Sequence, residues 1–161
     1  MKSHVPITHM YTDESGHTRF KKKKLPLEPK TGLGSVGSFS SLFVNQILDD
    51  NSGDIKMQFA VTPVPKKIDG EGPKLAHTAP RRQLVITLEG ILEFKSCDID
   101  ILDIERQTII TKGQILLADD LVGAGHVWSF LKNKDGKMLP WVRCYLHLGE
   151  EYEHFISRLE G

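Results

Sequence analysis

The stretch that decides the fold is LAHTAPRRQLVITLEG, residues 75–90. Its second half is a run of apolar and β-branched residues that ends at a glycine, a pattern that predicts a strand. Because successive side chains of a strand point to opposite faces, Leu84 and Ile86 share one face and Val85 lies on the other. Both faces are apolar, so this strand is expected to be buried on both sides, between two packed sheets or in a barrel that meets a second subunit.

Short strand-like runs bounded by turn residues occupy most of the remaining chain, and only the C-terminal residues 151–161 have the spacing of a helix. The chain is therefore predicted to be all-β with a short C-terminal helix, as a sandwich or a barrel. The turn DESG, residues 13–16, is expected to join the first two strands as a hairpin. The predicted strands span residues 5–11, 17–25, 41–48, 56–64, 82–88, 90–96, 98–104, 106–111, 113–118, 126–131 and 138–148.

Length and charge limit the classes of function. A chain of 161 residues is expected to form one structural domain, and its 21 basic and 21 acidic residues give a formal charge of zero. This balance argues against a nucleic-acid or membrane partner. The run Lys21 to Lys24 is read as a solvated strand edge. No apolar stretch reaches membrane-spanning length and the N-terminus lacks the apolar core of a signal peptide, so a cytoplasmic protein is expected.

The residues before the deciding strand resemble the first motif of the cupin family. That motif has two histidines separated by one residue, then a glutamate, and then a glycine seven residues further on. His77 matches the first histidine and Gly90 the glycine, whereas Ala79 and Gln83 replace the second histidine and the glutamate. The match is therefore partial, because two positions that hold metal ligands in the family carry other residues here.

The segment GQILLADDLVGAGH, from Gly113 to His126, resembles the second cupin motif, which begins with glycine and ends in histidine. The similarity covers about residues 40–150 and points to small single-domain cupins, a resemblance that implies no single activity. It implies a cupin jelly-roll β-barrel over 40–150, preceded by N-terminal strands and a glycine-rich loop in 1–39 and followed by the helix at 151–161. It also implies that His77, Gln83 and His126 converge inside the barrel mouth, with the two histidines facing each other across the lumen.

The resemblance further implies a lumen that holds either a divalent transition metal or a metal-free small ligand. His77, Gln83 and His126 are the candidate ligands for Fe, Mn, Ni or Zn. Such ions usually take three or four protein ligands, and Ala79 and Gln83 remove two of the family's four. Both alternatives remain open on the sequence.

Catalysis without metal would require a proton acceptor near the histidines. His77 and His126 are the candidate catalytic imidazoles, and Asp119 is the candidate carboxylate, because a carboxylate beside an imidazole fixes its tautomer and raises its basicity. Asp120 is left open for the same role, since a pair of aspartates before a turn also occurs as an ordinary strand end.

Five further residues are expected to contact a small ligand. Arg81 and Arg82 point to opposite faces of their strand, so one of them is expected to face the lumen, where it would either hold a carboxylate of the ligand or form an ion pair with an acidic residue of a neighbouring strand. Trp128 shares a strand face with His126, as does Phe130, which is expected to be core. The candidate ligand-binding residues are Gln83, Arg81, Trp128, Tyr145 and His147.

Three functions fit these residues. The first is an enzyme acting on a small organic substrate, the second a ligand-binding module without catalysis, and the third a structural dimer.

A homodimer is expected because the deciding strand is apolar on both faces and a small open barrel has edges to cover. The glycine-rich residues 32–38 are expected to form a mobile lid near the pocket mouth.

Overall fold

The computed structural model describes residues 4–26, 57–65, 76–97, 104–149 and 152–161. Over these residues the fold is mostly β with one short C-terminal helix, as predicted. The predicted strand at 41–48, most of the one at 98–104 and the glycine-rich residues 32–38 lie outside the described ranges. The described strands are β1 (His4–Thr12), β2 (Thr18–Pro26), β3 (Met57–Thr62), β4 (Gln83–Glu89), β5 (Ile91–Ser96), β6 (Gln107–Thr111), β7 (Ile115–Asp119), β8 (His126–Phe130) and β9 (Trp141–His147).

The strands form two sheets. The larger has the order β2-β1-β7-β4-β9-β3, and the smaller has the order β6-β5-β8. The pairs are antiparallel except for β1 and β7, which run parallel. Within the described ranges no strand ladder joins the two sheets. Because β1 pairs with β7, the N-terminal hairpin belongs to the same sheet as β3, β4, β7 and β9.

The predicted hairpin between β1 and β2 is present, and its turn is organised by Asp13. The Asp13 carboxylate accepts hydrogen bonds from the backbone N–H groups of Ser15 and His17 at 2.9 and 3.0 Å. Bonding of this kind is why aspartate favours turns. The lysine run lies in β2, an edge strand of the larger sheet, as the sequence predicts.

Strand β4 is buried on both faces, and the two faces contact different cores. Leu84 packs in an outer cluster with Leu117 and Phe155, whereas Val85 packs in an inner cluster with Phe94. The C-terminal helix α1 (Tyr152–Ile156) supplies Phe155, so part of the outer face is covered by the same chain. Packing against α1 of the same chain therefore accounts for the apolar outer face of β4.

Helix α1 is much shorter than the predicted span 151–161. It ends at Ile156, and the chain then turns so that Glu160 pairs with Lys24 through two backbone hydrogen bonds of 2.9 Å. Pairing with an edge strand satisfies backbone groups that a longer helix would have to satisfy internally. Among the described residues, no helix is long and apolar enough to cross a membrane.

Candidate functional site

A cavity of about 350 Å³ lies between the inner faces of the two sheets. The larger sheet contributes side chains from β1, β3, β4, β7 and β9, and the smaller sheet contributes β5 and β8. Its volume falls in the range of small-molecule sites. Seven of the eight predicted site residues line it: His77, Arg81, Gln83, His126, Trp128, Tyr145 and His147.

Strand alternation explains which residues reach the cavity. On β9 the odd-numbered positions from Trp141 to His147 line it, and on β8 His126 and Trp128 do. Phe130, two positions further along β8, is buried in the inner cluster and is not a lining residue, as expected of a core aromatic. Arg81 lines the cavity, whereas Arg82 forms an ion pair, with its Nε 2.9 Å from Asp119 Oδ1.

His77 and His126 lie side by side rather than across the lumen, where they were expected. Their backbones form an isolated antiparallel bridge, with N–H···O distances of 3.1 and 2.9 Å, and their ring centroids are 4.5 Å apart. Gly125 makes this approach possible. It has a φ of +74°, and a Cβ at that position would lie 2.5 Å from the carbonyl oxygen of His77.

Asp120 places a buried carboxylate against the cavity histidine His126. Its Oδ2 lies 2.6 Å from His126 Nδ1 and accepts a hydrogen bond from Thr18 Oγ1 at 3.1 Å. Its Oδ1 accepts the backbone N–H of Ala79 at 3.3 Å. Asp120 is fully buried and His126 is 4% exposed. A carboxylate at Nδ1 places the proton there and leaves Nε2 as the basic nitrogen.

Asp119, the predicted catalytic carboxylate, is not a lining residue and instead joins β7 to three other parts of the chain. Its carboxylate contacts His9 Nε2 at 3.3 Å, Arg82 Nε at 2.9 Å and the Tyr152 hydroxyl. Burial acts to raise the pKa of Asp119, but the hydrogen bonds from His9, Tyr152 and Arg82 together lower it below its ordinary value. The strand alternation that turns Ala118 inward directs Asp119 outward.

Two lining residues that the sequence analysis did not select are Arg143 and Trp141. The Arg143 guanidinium lies 3.9 Å from the Trp141 ring centroid, and its Nε donates to the Tyr145 hydroxyl at 2.6 Å. The signal was present in the sequence, because both share a strand face with Tyr145 and His147. Within the described ranges, no acidic residue lines the cavity.

The described donors do not fit a bound transition metal well. His77 and His126 supply two imidazoles, but Nδ1 of His126 is occupied by Asp120. Ala79, two residues after His77, contributes only a buried methyl group with no donor atom. Over the part of the chain that the structure describes, no group of three or more His, Cys, Asp or Glu residues is placed to hold a metal ion.

Comparison with known proteins gives no relative. No protein-family model matches the chain, and neither a curated protein nor a solved structure matches it significantly.

The close approach at Gly125 predicts an unequal response to two glycine substitutions. Gly125 and Gly113 both have positive φ, but a Cβ at Gly113 would meet nothing within 4 Å. Gly113→Ala should therefore cost only backbone strain, roughly 1–2 kcal/mol, whereas Gly125→Ala should cost clearly more because it also pushes the His77 backbone away. Urea unfolding of both variants measures the difference, and equal losses would show that the close approach is absent.

The Asp119 contacts predict a pH-dependent contribution to stability. A carboxyl group whose pKa is lowered by folding stabilises the protein above its unfolded pKa of about 3.9, and that contribution is lost as pH falls through the lower folded value. Asp119→Asn should therefore reduce the free energy of unfolding at pH 7 by roughly 2 kcal/mol, with a smaller difference from wild type near pH 2.

The matched control is Asp135→Asn at an exposed turn position, which should change little at either pH. Urea unfolding at both pH values tests the comparison. An Asp119→Asn loss of the same size at pH 7 and pH 2 would show that the charge of this carboxylate is not what stabilises the fold.

Proposed function

We propose that this protein is a jelly-roll cupin whose cavity binds a small organic substrate, and that His126 transfers a proton to or from that substrate. The observation that carries the proposal is the hydrogen bond between Asp120 and His126 at the wall of the cavity. The two-sheet β fold, with His77 and His126 as backbone neighbours beside the lumen, supports the cupin assignment.

The chemistry follows from which nitrogen of His126 is free. Asp120 occupies Nδ1, and among the described residues no hydrogen bond to Nε2 is present. A buried carboxylate stabilises the imidazolium that forms when Nε2 accepts a proton. His126 is therefore the proposed general acid and base, Asp120 is a positioning residue, and His77 borders the same reacting position.

The remaining predicted residues are proposed to bind the substrate. Gln83 is buried, and its side-chain amide makes no hydrogen bond to any described residue, so it is available to a ligand. Trp128 offers an aromatic surface, and Arg81, Tyr145 and His147 also line the cavity. Such a mixture of apolar wall and few polar groups is typical of small-molecule sites.

The alternative is a ligand-binding module without catalysis, in which the same side chains only recognise the ligand. The two functions differ in one measurable property. A general base at Nε2 exchanges an acidic C–H proton of a substrate with solvent, whereas a recognition group does not.

Deuterium exchange tests the proposal. The protein is incubated in D₂O with a panel of neutral ketones, lactones and 2-oxo acids, and loss of C–H signals is followed by proton NMR. Wild type should accelerate exchange of at least one compound, and His126→Gln should reduce that rate by about 10²–10⁴-fold. His154→Gln, an exposed site on α1, is the control and should behave as wild type. Bound compounds that never exchange would favour the binding module.

Metal content is a separate prediction. Because no three of the described His, Cys, Asp or Glu residues are placed together to hold a metal ion, purified protein should contain less than about a tenth of a metal ion per chain. Elemental analysis measures this, and melting curves with and without chelator should coincide, since a bound metal stabilises the folded state. Stoichiometric metal that His77→Ala or His126→Ala removes would support the metal-dependent alternative.

We also propose that the chain forms a homodimer in the cytoplasm. The support is β3, which lies at the edge of the larger sheet among the described strands, and whose Phe59 and Val61 lie on one face with 65% and 63% of their surface exposed. Exposed apolar edge strands are commonly covered by another chain. Light scattering at micromolar concentration should give twice the 18.1 kDa chain mass, and Phe59→Asp should shift the protein toward monomer. A monomeric wild type would refute the dimer.

A further inference from the structure

Hydrogen bonds fix the position of Arg143 at the cavity wall, and they leave the Nη2 group of its guanidinium without a partner among the described residues. Its Nε donates to the Tyr145 hydroxyl at 2.6 Å, and its Nη1 donates to Thr62 Oγ1 at 2.8 Å and to the Trp141 carbonyl oxygen at 3.2 Å. These contacts use three of the five N–H groups of arginine. Among the described residues, no acceptor contacts the two N–H groups of Nη2.

Tyr145 supplies a second donor beside Arg143. Its hydroxyl oxygen accepts the Nε–H of Arg143, so its own proton points elsewhere, and no described residue accepts it. Two donors therefore stand side by side at the cavity wall. Their arrangement suits the two oxygens of one carboxylate, with one bond from Nη2 and one from the phenol.

The charge of the cavity favours an anion. Arg143 and Arg81 both line it, and within the described ranges neither forms an ion pair with an acidic residue. The nearest Arg81 contact is its Nη1 at 3.5 Å from His147 Nδ1, a long and weak one. The buried carboxylate of Asp120 already bonds to His126. A partly buried cation whose partners are all neutral is stabilised when an anion binds beside it.

The body of the ligand would meet an aromatic wall. The ring centroids of Trp128 and Trp141 are 5.0 Å apart, and Phe94 lies 5.7 Å from Trp141 and 5.7 Å from His126. These rings connect the Arg143 end of the cavity to the proposed base. A ligand that spans them is apolar or aromatic between its carboxylate and its reacting atom.

We therefore propose that the ligand of this cavity is a small organic carboxylate with an aromatic or apolar body, held at its carboxylate by Arg143 and Tyr145. The inference rests on the small-molecule site proposed above and adds the chemical class of its ligand. Arg143 and Tyr145 determine specificity in this arrangement, and His126 acts at the other end.

Paired probes test the ligand class. Phenylacetate and 2-naphthoate are compared with phenylacetamide and 2-naphthamide, their neutral isosteres, by isothermal titration calorimetry at pH 7. Each carboxylate should bind about tenfold more tightly than its amide or better, which is the size expected for a charge-assisted hydrogen bond. Equal affinity of acids and amides, or no binding of either carboxylate at millimolar concentration, would overturn the proposal.

Variants assign the effect to the named residues. Arg143→Gln should weaken carboxylate binding about tenfold or more and remove the preference over the amide, and Tyr145→Phe should weaken it by a smaller factor. The control Arg158→Gln removes the same charge outside the cavity and should bind as wild type. Melting curves confirm that each variant is folded, and Tyr145→Phe decides the question if Arg143→Gln does not fold. Carboxylate binding that both variants leave unchanged would overturn the proposal.

The two proposals fail in different ways. If carboxylates bind through Arg143 but no compound exchanges protons, the proposed ligand class is supported and the proposed proton transfer is refuted. If a neutral compound exchanges its C–H protons through His126 at a rate that Arg143→Gln leaves unchanged, the proposed proton transfer is supported and the proposed ligand class is refuted.

Discussion

The hydrogen bond between Asp120 and His126 is the interaction on which the site depends. A fully buried carboxylate is costly unless its oxygens are satisfied, and here they contact an imidazole, the hydroxyl of Thr18 and the backbone N–H of Ala79. These partners come from β2, from the segment before β4 and from β8. The contacts that offset the free-energy cost of burying this carboxylate thus also fix the position and tautomer of His126.

The cavity lies on one of the two buried faces of the larger sheet. The outer face of that sheet packs against α1 through Phe155, which leaves the inner face and the smaller sheet to enclose a lumen. Asp119 and Asp120 illustrate the difference between the outer and inner faces of the larger sheet. Adjacent in sequence, they serve opposite faces, since Asp119 ties α1 and Arg82 to the outer face while Asp120 holds His126 at the cavity.

Much of this was predictable from strand periodicity. Alternation alone predicts that β4 is buried on both faces, that Arg81 and Arg82 diverge, and that the lining residues of β9 share a face. Periodicity could not choose between Asp119 and Asp120, because the latter follows the end of β7, where the chain leaves strand geometry. The short helix was also unpredictable, since it ends where Glu160 finds a tertiary partner in Lys24.

The pairing of His77 with His126 shows a similar limit. Motif spacing predicted that both reach the lumen, but not that Gly125 would let their backbones meet. Arg143 shares its strand face with Tyr145 and His147, but strand periodicity does not show which partners an arginine on that face will have. Its position became informative only when its neutral partners and the absence of lining acids in the described ranges were known.

The tautomer of His126 tests the central claim most directly. Long-range proton–nitrogen NMR on ¹⁵N-labelled protein near pH 8, with His126→Gln to assign the signals, reports which ring nitrogen carries the proton. Neutral His126 should be protonated at Nδ1, and Asp120→Asn should shift the ring toward the other tautomer or a mixture. A wild-type His126 protonated at Nε2, or a tautomer that Asp120→Asn leaves unchanged, would contradict the account.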